Sequence, residues 1–335
     1  MATIKDVAAK AGVAVSTASY ALNGKTSKVN DETAKKILAA AQELNYRPNA
    51  IARSLARKKT DTIGLFLLLE HSDLNHPTII ELIVGIMDIS REHGYDILLF
   101  SNREVSDVSY VEKCKERSVD GAIIFGMYNT DPYLEDIENS EIPIISLDVP
   151  VFGDNATYIS YDHKKGAYKA VEHLIQQGHQ NIALMNGLTK AQESKQRLVG
   201  YKEAHEDFDL SYNQNLIVNG KFDRKVAYQK TLDLLEQDED FSAIFVATNM
   251  MSIGVMDALE DEGIKVPEDI SVIGFDDITL PDSLSLNITT IRQKKGEEGR
   301  RAIRKLIKMI EENADTDPIL LDYELVDRST VKKIK

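Results

Sequence analysis

The sequence predicts a small all-α headpiece (residues 1–46) of the helix-turn-helix type, followed by an α/β core of two doubly wound, parallel-sheet lobes. Three short amphipathic segments lie in the first sixty residues, whereas from residue 62 apolar strands alternate with helices. The net charge also changes sign near this boundary. Residues 1–60 carry 11 Lys and Arg against 4 Asp and Glu, and the remaining residues carry 29 against 50. This asymmetry indicates a small basic unit that contacts phosphates, joined to a large acidic body.

Three helices are predicted in the headpiece. The first opens at Thr3, which Asp6 follows in the pattern of a helix cap, and Gly12 supplies the turn after it. The second covers residues 15–22, and the third begins after Asn30. Four residues are available as a miniature core: Ala8, Val13, Ala18 and Leu22. A helix, a four-residue turn and a second helix form the pattern of a helix-turn-helix.

Residues 45–60, NYRPNAIARSLARKKT, follow as a basic connecting segment. Pro48 suits the first position of a helix, and residues 50–56 are compatible with a short one. Such a run of Arg and Lys is ordinarily a solvated linker. Because it follows a DNA-reading unit, a phosphate-contacting hinge over residues 47–60 is the better interpretation.

Seven apolar segments predict strands in the core: 62–69, 95–101, 121–126, 143–148, 181–187, 243–248 and 271–276. The segments between them predict helices such as 78–93, 163–177, 192–206 and 223–236. Continuous apolar strands that alternate with helices indicate parallel sheets covered on both faces, and the number of strands suits two lobes better than one sheet. Ligands of such folds bind beyond the carboxyl ends of the strands, so we expect a cleft lined by polar residues at strand ends.

The sequence also argues against several classes of protein. No apolar run approaches the roughly 20 residues of a membrane-spanning helix, and the first residues lack the apolar stretch of a secretory signal. The single cysteine, Cys114, allows neither an intrachain disulfide nor a cysteine-based metal site. Phosphate-binding loops, zinc-protease motifs and nucleophile elbows are missing, so no catalytic residue, cofactor or metal is predicted. We expect a cytoplasmic, non-enzymatic protein without a membrane partner.

Two segments near the N-terminus, TIKDVAAKAGVAVSTASYALNG (3–24) and ELNYRPNAIARSLA (43–56), resemble the lactose/galactose repressor family. Together these two segments are highly specific, because they join a helix-turn-helix to a hinge at the right separation. The resemblance continues in the family's order through GHQNIALMNG (178–187), RLVGYKEA (197–204), VPEDISVIGFDD (266–277), ITTIRQ (288–293) and ELVDRST (324–330). It covers essentially the whole chain.

The resemblance implies a DNA-binding headpiece at 1–46, a hinge helix and linker at 47–60, and an effector-binding and dimerisation core at 61–335. The core would be related to periplasmic sugar-binding proteins, with chain crossings near residues 161, 290 and 320. Each lobe is then discontinuous: the N-lobe covers about 61–160 and 292–319, and the C-lobe about 161–291 and 320–335. Because the family's tetramerising heptad tail is not seen, the resemblance implies a homodimer.

The family's DNA-contacting positions fall mainly on the second helix, which we call the reading helix. Base contacts are implied for Val15, Ser16 and Tyr20, and phosphate or sugar contacts for Thr17, Ser19 and Asn23. Thr3 is also a predicted DNA-binding residue. A plain surface helix is the alternative. Ala14 replaces a common capping serine, which costs roughly 1 kcal/mol if uncompensated. Tyr20 replaces a common arginine, so we expect a different operator preference.

In the hinge segment, Leu55 matches the leucine that wedges into the minor groove at the operator's centre. Ala52 would permit the close approach to DNA, and Asn49 and Tyr46 would hold the backbone. A core contact against the lobes is the alternative for Leu55.

For the effector, the resemblance implies contacts from Arg197 and Asp276, whose donors and acceptors suit ring hydroxyls or a carboxylate. Asp148, Phe222 and Thr248 are further candidates, with Thr248 standing where an asparagine is usual. A structural salt bridge is the alternative for Arg197 and Asp276. A strand-end cap and a core aromatic are the alternatives for Asp148 and Phe222.

These implications describe a repressor of transcription that binds double-stranded operator DNA under the control of a small effector. A sugar or sugar derivative is the commonest effector, and a nucleobase is the alternative. A sugar-binding transport component would have a similar core, but it needs a secretory signal and no helix-turn-helix. A nucleotide-dependent enzyme would need a phosphate loop or an acid–base pair, which the sequence lacks.

Overall fold

The computed structural model describes residues 2–22, 28–46, 59–68, 77–100, 108–237, 239–277 and 287–334. The chain divides into two compact units, Met1–Asp61 and Thr62–Lys335. The second unit contains both parallel sheets that the sequence predicts. Among the described residues, no helix combines the length and the apolar character needed to cross a membrane.

In its described residues, the first unit contains three helices around a small apolar core. They are α1 (Ile4–Ala11), α2 (Val15–Leu22) and α3 (Asp31–Glu43), as predicted. Ala8 and Ala18 of the predicted core are buried, and Val13 and Leu22 pack half-buried against them. Small residues at these positions let three short helices approach closely enough to exclude water.

Local capping explains where these helices begin and end. The Asp6 carboxylate accepts a hydrogen bond of 2.8 Å from the Thr3 backbone N–H, which closes the predicted capping box. Gly12 ends α1 in the left-handed conformation at φ 68°. Asn30 caps α3, because its side chain accepts from the Thr33 N–H at 2.8 Å.

The second unit alternates strands and helices. Its strands are β1 (Thr62–Leu67), β2 (Asp96–Phe100), β3 (Gly121–Phe125), β4 (Ile144–Leu147), β5 (Ala156–Tyr161), β6 (Ile182–Asn186), β7 (Ile217–Asn219), β8 (Ala243–Val246), β9 (Ser271–Asp276), β10 (Thr289–Arg292), β11 (Ile319–Leu321) and β12 (Glu324–Val326). Its helices are α4 (Pro77–His93), α5 (Tyr110–Arg117), α6 (Leu134–Glu138), α7 (His163–Gln176), α8 (Gln192–Asp207), α9 (Arg224–Leu235), α10 (Asn249–Asp261) and α11 (Lys295–Glu312). All seven predicted strands form.

Two six-stranded sheets define the N-lobe and the C-lobe. The N-lobe sheet is wholly parallel in the order β11-β5-β4-β3-β1-β2. The C-lobe sheet has the order β12-β10-β9-β8-β6-β7, and among its described strands only β12 is antiparallel to its neighbour. Both orders reverse direction within the sheet, which is the feature of a doubly wound fold.

The chain passes between the lobes three times: from β5 to α7, from β10 to α11 and from β11 to β12. After the second crossing, α11 packs closely on α4 of the N-lobe. A Cβ atom added at Gly85 of α4 would lie 2.1 Å from the Gly296 carbonyl oxygen of α11. Glycine is therefore required where these two helices meet.

Candidate functional site

A cavity of about 480 Å³ lies in the second unit beyond the carboxyl ends of strands from both sheets. Phe125 and Leu147 reach it from the ends of β3 and β4, and Asp276 reaches it from the end of β9. The five effector residues that the resemblance implies all line this cavity: Asp148, Arg197, Phe222, Thr248 and Asp276. The expected cleft with polar residues at strand ends is therefore present.

Arg197 enters the cavity wall from α8 and is almost fully buried. Its Nη1 donates to the Ala247 carbonyl oxygen at 2.7 Å, and its guanidinium stacks 4.1 Å from the centre of the Phe275 ring. The distance from Nη2 to Asp276 Oδ1 is 3.9 Å, which is too long for a hydrogen bond. In the described part of the chain, Nε has no hydrogen-bond partner. Arg197 and Asp276 thus do not satisfy one another, and an additional polar group can bind both.

Asp148 lies between the lobes and accepts hydrogen bonds from several partners. Lys295 Nζ is 3.0 Å from one carboxylate oxygen, while Ser160 Oγ and His163 Nε2 are each 3.2 Å from the other. Burial alone would raise the pKa of Asp148. The Lys295 ammonium and the His163 hydrogen bond outweigh burial and hold that pKa below its usual range. Asp148 is therefore an ionised acceptor in the cavity wall.

His163, the first residue of α7, also lines the cavity. Burial lowers its pKa from the ordinary value and outweighs the opposing hydrogen bond with Asp148, so the ring is neutral. With Nε2–H donating to Asp148, Nδ1 accepts from the Tyr323 hydroxyl at 3.2 Å. Arg197 Nη2 lies 3.4 Å from the same Nδ1. His163 therefore contacts groups from both lobes.

Phe222 reaches the cavity because a glycine leaves space for its ring. A Cβ atom added at Gly187, directly after β6, would lie 1.9 Å from the Phe222 ring. The ring lies half-buried at the cavity wall, where it can pack on the face of a bound ring.

Left-handed backbone conformation is concentrated at this cavity. Asp148, Lys221, Phe222 and Asp276 have φ values of 65°, 55°, 61° and 98°, and all four line the wall. Non-glycine residues adopt this conformation rarely, and strained residues cluster where a site must be held in a fixed geometry. Because φ depends on tertiary packing, no signal in the sequence marks this feature.

Thr248 has a structural contact in addition to its place in the wall. Its side-chain oxygen caps α10 by accepting a hydrogen bond of 3.2 Å from the Met251 N–H. The hydroxyl proton is not used in that bond and can be donated to a ligand. The neighbouring Asn249 faces the sheet, where its Oδ1 accepts from Thr290 Oγ1 at 3.2 Å.

Of the polar wall residues that sequence reasoning missed, three are buried: His163, Gln293 and Lys295. All three lie at the crossings between the lobes. A lysine at the start of an amphipathic helix is ordinarily solvated, so the pattern QKKGEE carries no signal of burial.

The predicted DNA-contacting residues differ in how far they are exposed. On the reading helix α2, Val15 and Ser16 are exposed, whereas Thr17, Ser19 and Tyr20 are half-buried. The Tyr20 ring packs partly against the headpiece core, with Lys28 Nζ 5.0 Å from its centre, and Tyr46 packs similarly. Thr3 is exposed at the start of α1. Four predicted residues lie outside the described residues: Asn23, Asn49, Ala52 and Leu55.

Comparison with known proteins places the two units in recognised families. Residues 3–49 match the lacI family of bacterial regulatory proteins, and residues 171–331 match the periplasmic binding protein-like domain. The HTH-type transcriptional repressor PurR of Vibrio atlanticus (strain LGP32) is 32% identical over 338 residues, which cover 100% of both chains. Catabolite control protein A of Priestia megaterium is 32% identical over 334 residues, covering 98% of this chain and 99% of the relative.

Solved structures agree with these relatives. The lac repressor dimer bound to operator and the anti-inducer ONPF superposes with a TM-score of 0.83 at 29% identity, covering 99% of each chain. The complex of the transcriptional regulator CelR with cellobiose superposes with a TM-score of 0.71 at 26% identity, covering 98% of this chain and 100% of the other.

Proposed function

Because the chain belongs to the lacI family of bacterial regulatory proteins, we propose that it represses transcription from operator DNA under the control of a sugar or sugar derivative. The observation that carries the proposal is the cavity in the second unit, where Arg197 and Asp276 lie side by side without a hydrogen bond between them. A hydroxyl group can accept from the guanidinium and donate to the carboxylate at once. Phe222 supplies an aromatic face for the ring that carries such hydroxyls.

Control of DNA binding requires that the ligand bind two conformations of the core with different affinities. The cavity is lined from both lobes, so a bound ligand changes the relative free energies of open and closed lobes. The sign of the effect is measurable, because an inducer lowers operator affinity and a corepressor raises it. We also propose a cytoplasmic location, since the operator DNA of a bacterial regulator lies there.

The proposal is tested by selecting DNA from a random-sequence library and then measuring affinity for the selected duplex with and without ligand. Ligands come from a thermal-shift screen of neutral sugars, their phosphate esters and nucleobases. We expect a pseudo-palindromic duplex and at least one compound that changes both the melting temperature and operator affinity. A chain that selects no sequence, or whose DNA affinity no compound alters, is not a ligand-controlled repressor.

We further propose that the protein is a homodimer that associates through α4 and the neighbouring edge strand β2. Ile80, Val84 and Met87 are 50%, 49% and 45% exposed on α4, and their spacing places them on one helix face. Leu99 of β2 is likewise 50% exposed. An apolar stripe beside an open sheet edge is costly in water, and a lac repressor relative with similar structure is a dimer.

Val84→Asp is expected to raise the dimer dissociation constant at least about 10-fold, because burying a valine contributes roughly 1.5–3 kcal/mol. Light scattering across a concentration series measures the monomer fraction. Leu320→Asp is the matched control, since Leu320 is also exposed but lies on β11 at the opposite edge of the N-lobe sheet. Equal effects of the two substitutions would contradict this assignment of the dimer surface.

A further inference from the structure

We infer that Lys295 contacts the ligand directly and, with Gln293 and Asp148, forms a second hydroxyl-binding end of the cavity. The ligand is then an uncharged, polyhydroxylated compound that bonds to this end and to Arg197 and Asp276 at once. This inference rests on the proposed function and specifies the ligand class of the same site.

The Lys295 ammonium is held at a fixed position in the cavity wall. Its Nζ lies 3.0 Å from Asp148 Oδ2 and 2.7 Å from Glu298 Oε2, and the rings of Tyr161 and Phe125 lie 5.4 Å and 5.7 Å away. One of its three N–H donors bonds to Asp148, whereas Glu298 contacts the ammonium as an ion pair and its oxygens have no hydrogen-bond partner among the described residues. A further donor is left for an acceptor in the cavity that Lys295 lines.

Gln293 supplies a second donor on the same crossing segment. Its side chain lines the cavity and is only 3% exposed, and among the described residues its Nε2 has no hydrogen-bond partner. A buried amide donor without a partner destabilises the protein, and a hydrogen bond from this donor to a ligand acceptor removes that cost. With the Asp148 carboxylate beside them, these donors match hydroxyl groups, which both accept and donate.

The two ends are separated by the imidazole ring of His163. Its Nε2 bonds to Asp148 at 3.2 Å, and its Nδ1 lies 3.4 Å from Arg197 Nη2. The His163 imidazole therefore lies between two pairs of a cation and a carboxylate, Asp148 with Lys295 and Asp276 with Arg197. A ligand whose own ring carries hydroxyls at both ends can bond to both pairs.

The charges of the wall disfavour an anionic ligand. Four carboxylates line the cavity against three cations: Asp148, Glu193, Asp223 and Asp276 against Arg197, Lys221 and Lys295. Behind Lys295, burial raises the pKa of Glu298 to about 8, with a further contribution from Asp148 that Lys295 opposes. Lys295 and Asp148 lie 3.0 Å apart and neutralise each other, so this pair adds no net positive charge that would attract an anion. A phosphate group would meet an excess of negative charge here.

The test begins with the wild-type dimer and thermal-shift measurements on matched compounds: ribose and ribose 5-phosphate, glucose and glucose 6-phosphate, cellobiose, and hypoxanthine. We expect a neutral sugar to bind and its phosphate ester to bind at least about 10-fold more weakly. With the best sugar, Lys295→Met should lower affinity about 10- to 100-fold by calorimetry, because a hydrogen bond from a charged donor is lost. Lys294→Met is the matched control, since the adjacent Lys294 is exposed and pairs with Glu324.

A second variant keeps the test valid if Lys295→Met fails to fold. Lys295→Met with Asp148→Asn removes the buried cation together with the carboxylate that it neutralises, so that neither change leaves an unpaired charge in the wall. Unchanged sugar affinity in either folded variant would overturn the role of Lys295. Preference for a phosphate ester would overturn the uncharged ligand class while supporting control by a sugar derivative. Preference for hypoxanthine would overturn the sugar assignment in both proposals and leave only ligand-controlled repression. A wild-type protein that binds none of these compounds contradicts both.

Discussion

Operator affinity is expected to fall about 10³- to 10⁵-fold when the salt concentration rises from about 50 to about 200 mM. The reason is the charge of the first sixty residues, where Lys and Arg outnumber Asp and Glu by 11 to 4. A dimer presents two such headpieces, so roughly 6–10 phosphates lose their counterions when the protein binds. The acidic core gains nothing from contact with DNA, because its own charge repels phosphates.

Fluorescence anisotropy of a labelled operator duplex across a salt series measures this slope. A chain restricted to residues 61–335 serves as the control and is expected not to bind DNA. That fragment retains both sheets and the cavity, so its ligand binding should persist. Salt-independent association, or operator binding by the fragment, would show that the headpiece is not the DNA-binding unit.

Arg197→Met is expected to abolish the response to the ligand, with affinity lowered by about 30-fold or more. Removing one charged partner from a buried hydrogen-bonded site typically costs about 2–5 kcal/mol. The guanidinium would be lost from the cavity, while the methionine could still pack on Phe275. Asp276→Asn should act similarly, since it removes the negative charge beside Arg197 and replaces one accepting oxygen by a donating amide group.

Calorimetry with the ligand from the screen and operator binding without ligand separate the two functions. Ligand-free operator affinity should change little, because both substitutions lie in the second unit. Arg224→Met is the matched control, since Arg224 is exposed and pairs with Asp257 at the surface. Full ligand response in either cavity variant would remove that residue from the site. A variant that loses its cooperative melting transition would instead support the structural salt bridge.

Local patterns in the sequence determined the headpiece and most of the core. The capping box of Thr3 and Asp6 and the Asn30 cap join residues three apart, so local backbone geometry is sufficient to form them. Each predicted strand is a mostly continuous apolar run, so both of its faces can be buried and the run is recognisable without knowledge of its neighbours. The strands that the pattern missed include β7, β11 and β12, which have three residues each and lie at sheet edges. Such strands form only because a distant strand offers them hydrogen bonds.

For the cavity, the sequence and its family resemblance supplied five wall residues, whose contact with ligand stays a prediction. Tertiary structure alone brought His163 from the first crossing, and Gln293 and Lys295 from the second, to the same wall. It also decided the left-handed backbone of Asp148 and Phe222, and the burial that raises the pKa of Glu298. Backbone strain, burial and pKa depend on neighbours that are remote in sequence, whereas helix caps and apolar runs depend on neighbours along the chain. The sequence therefore determined which elements form, and only their packing decided the polar chemistry of the site.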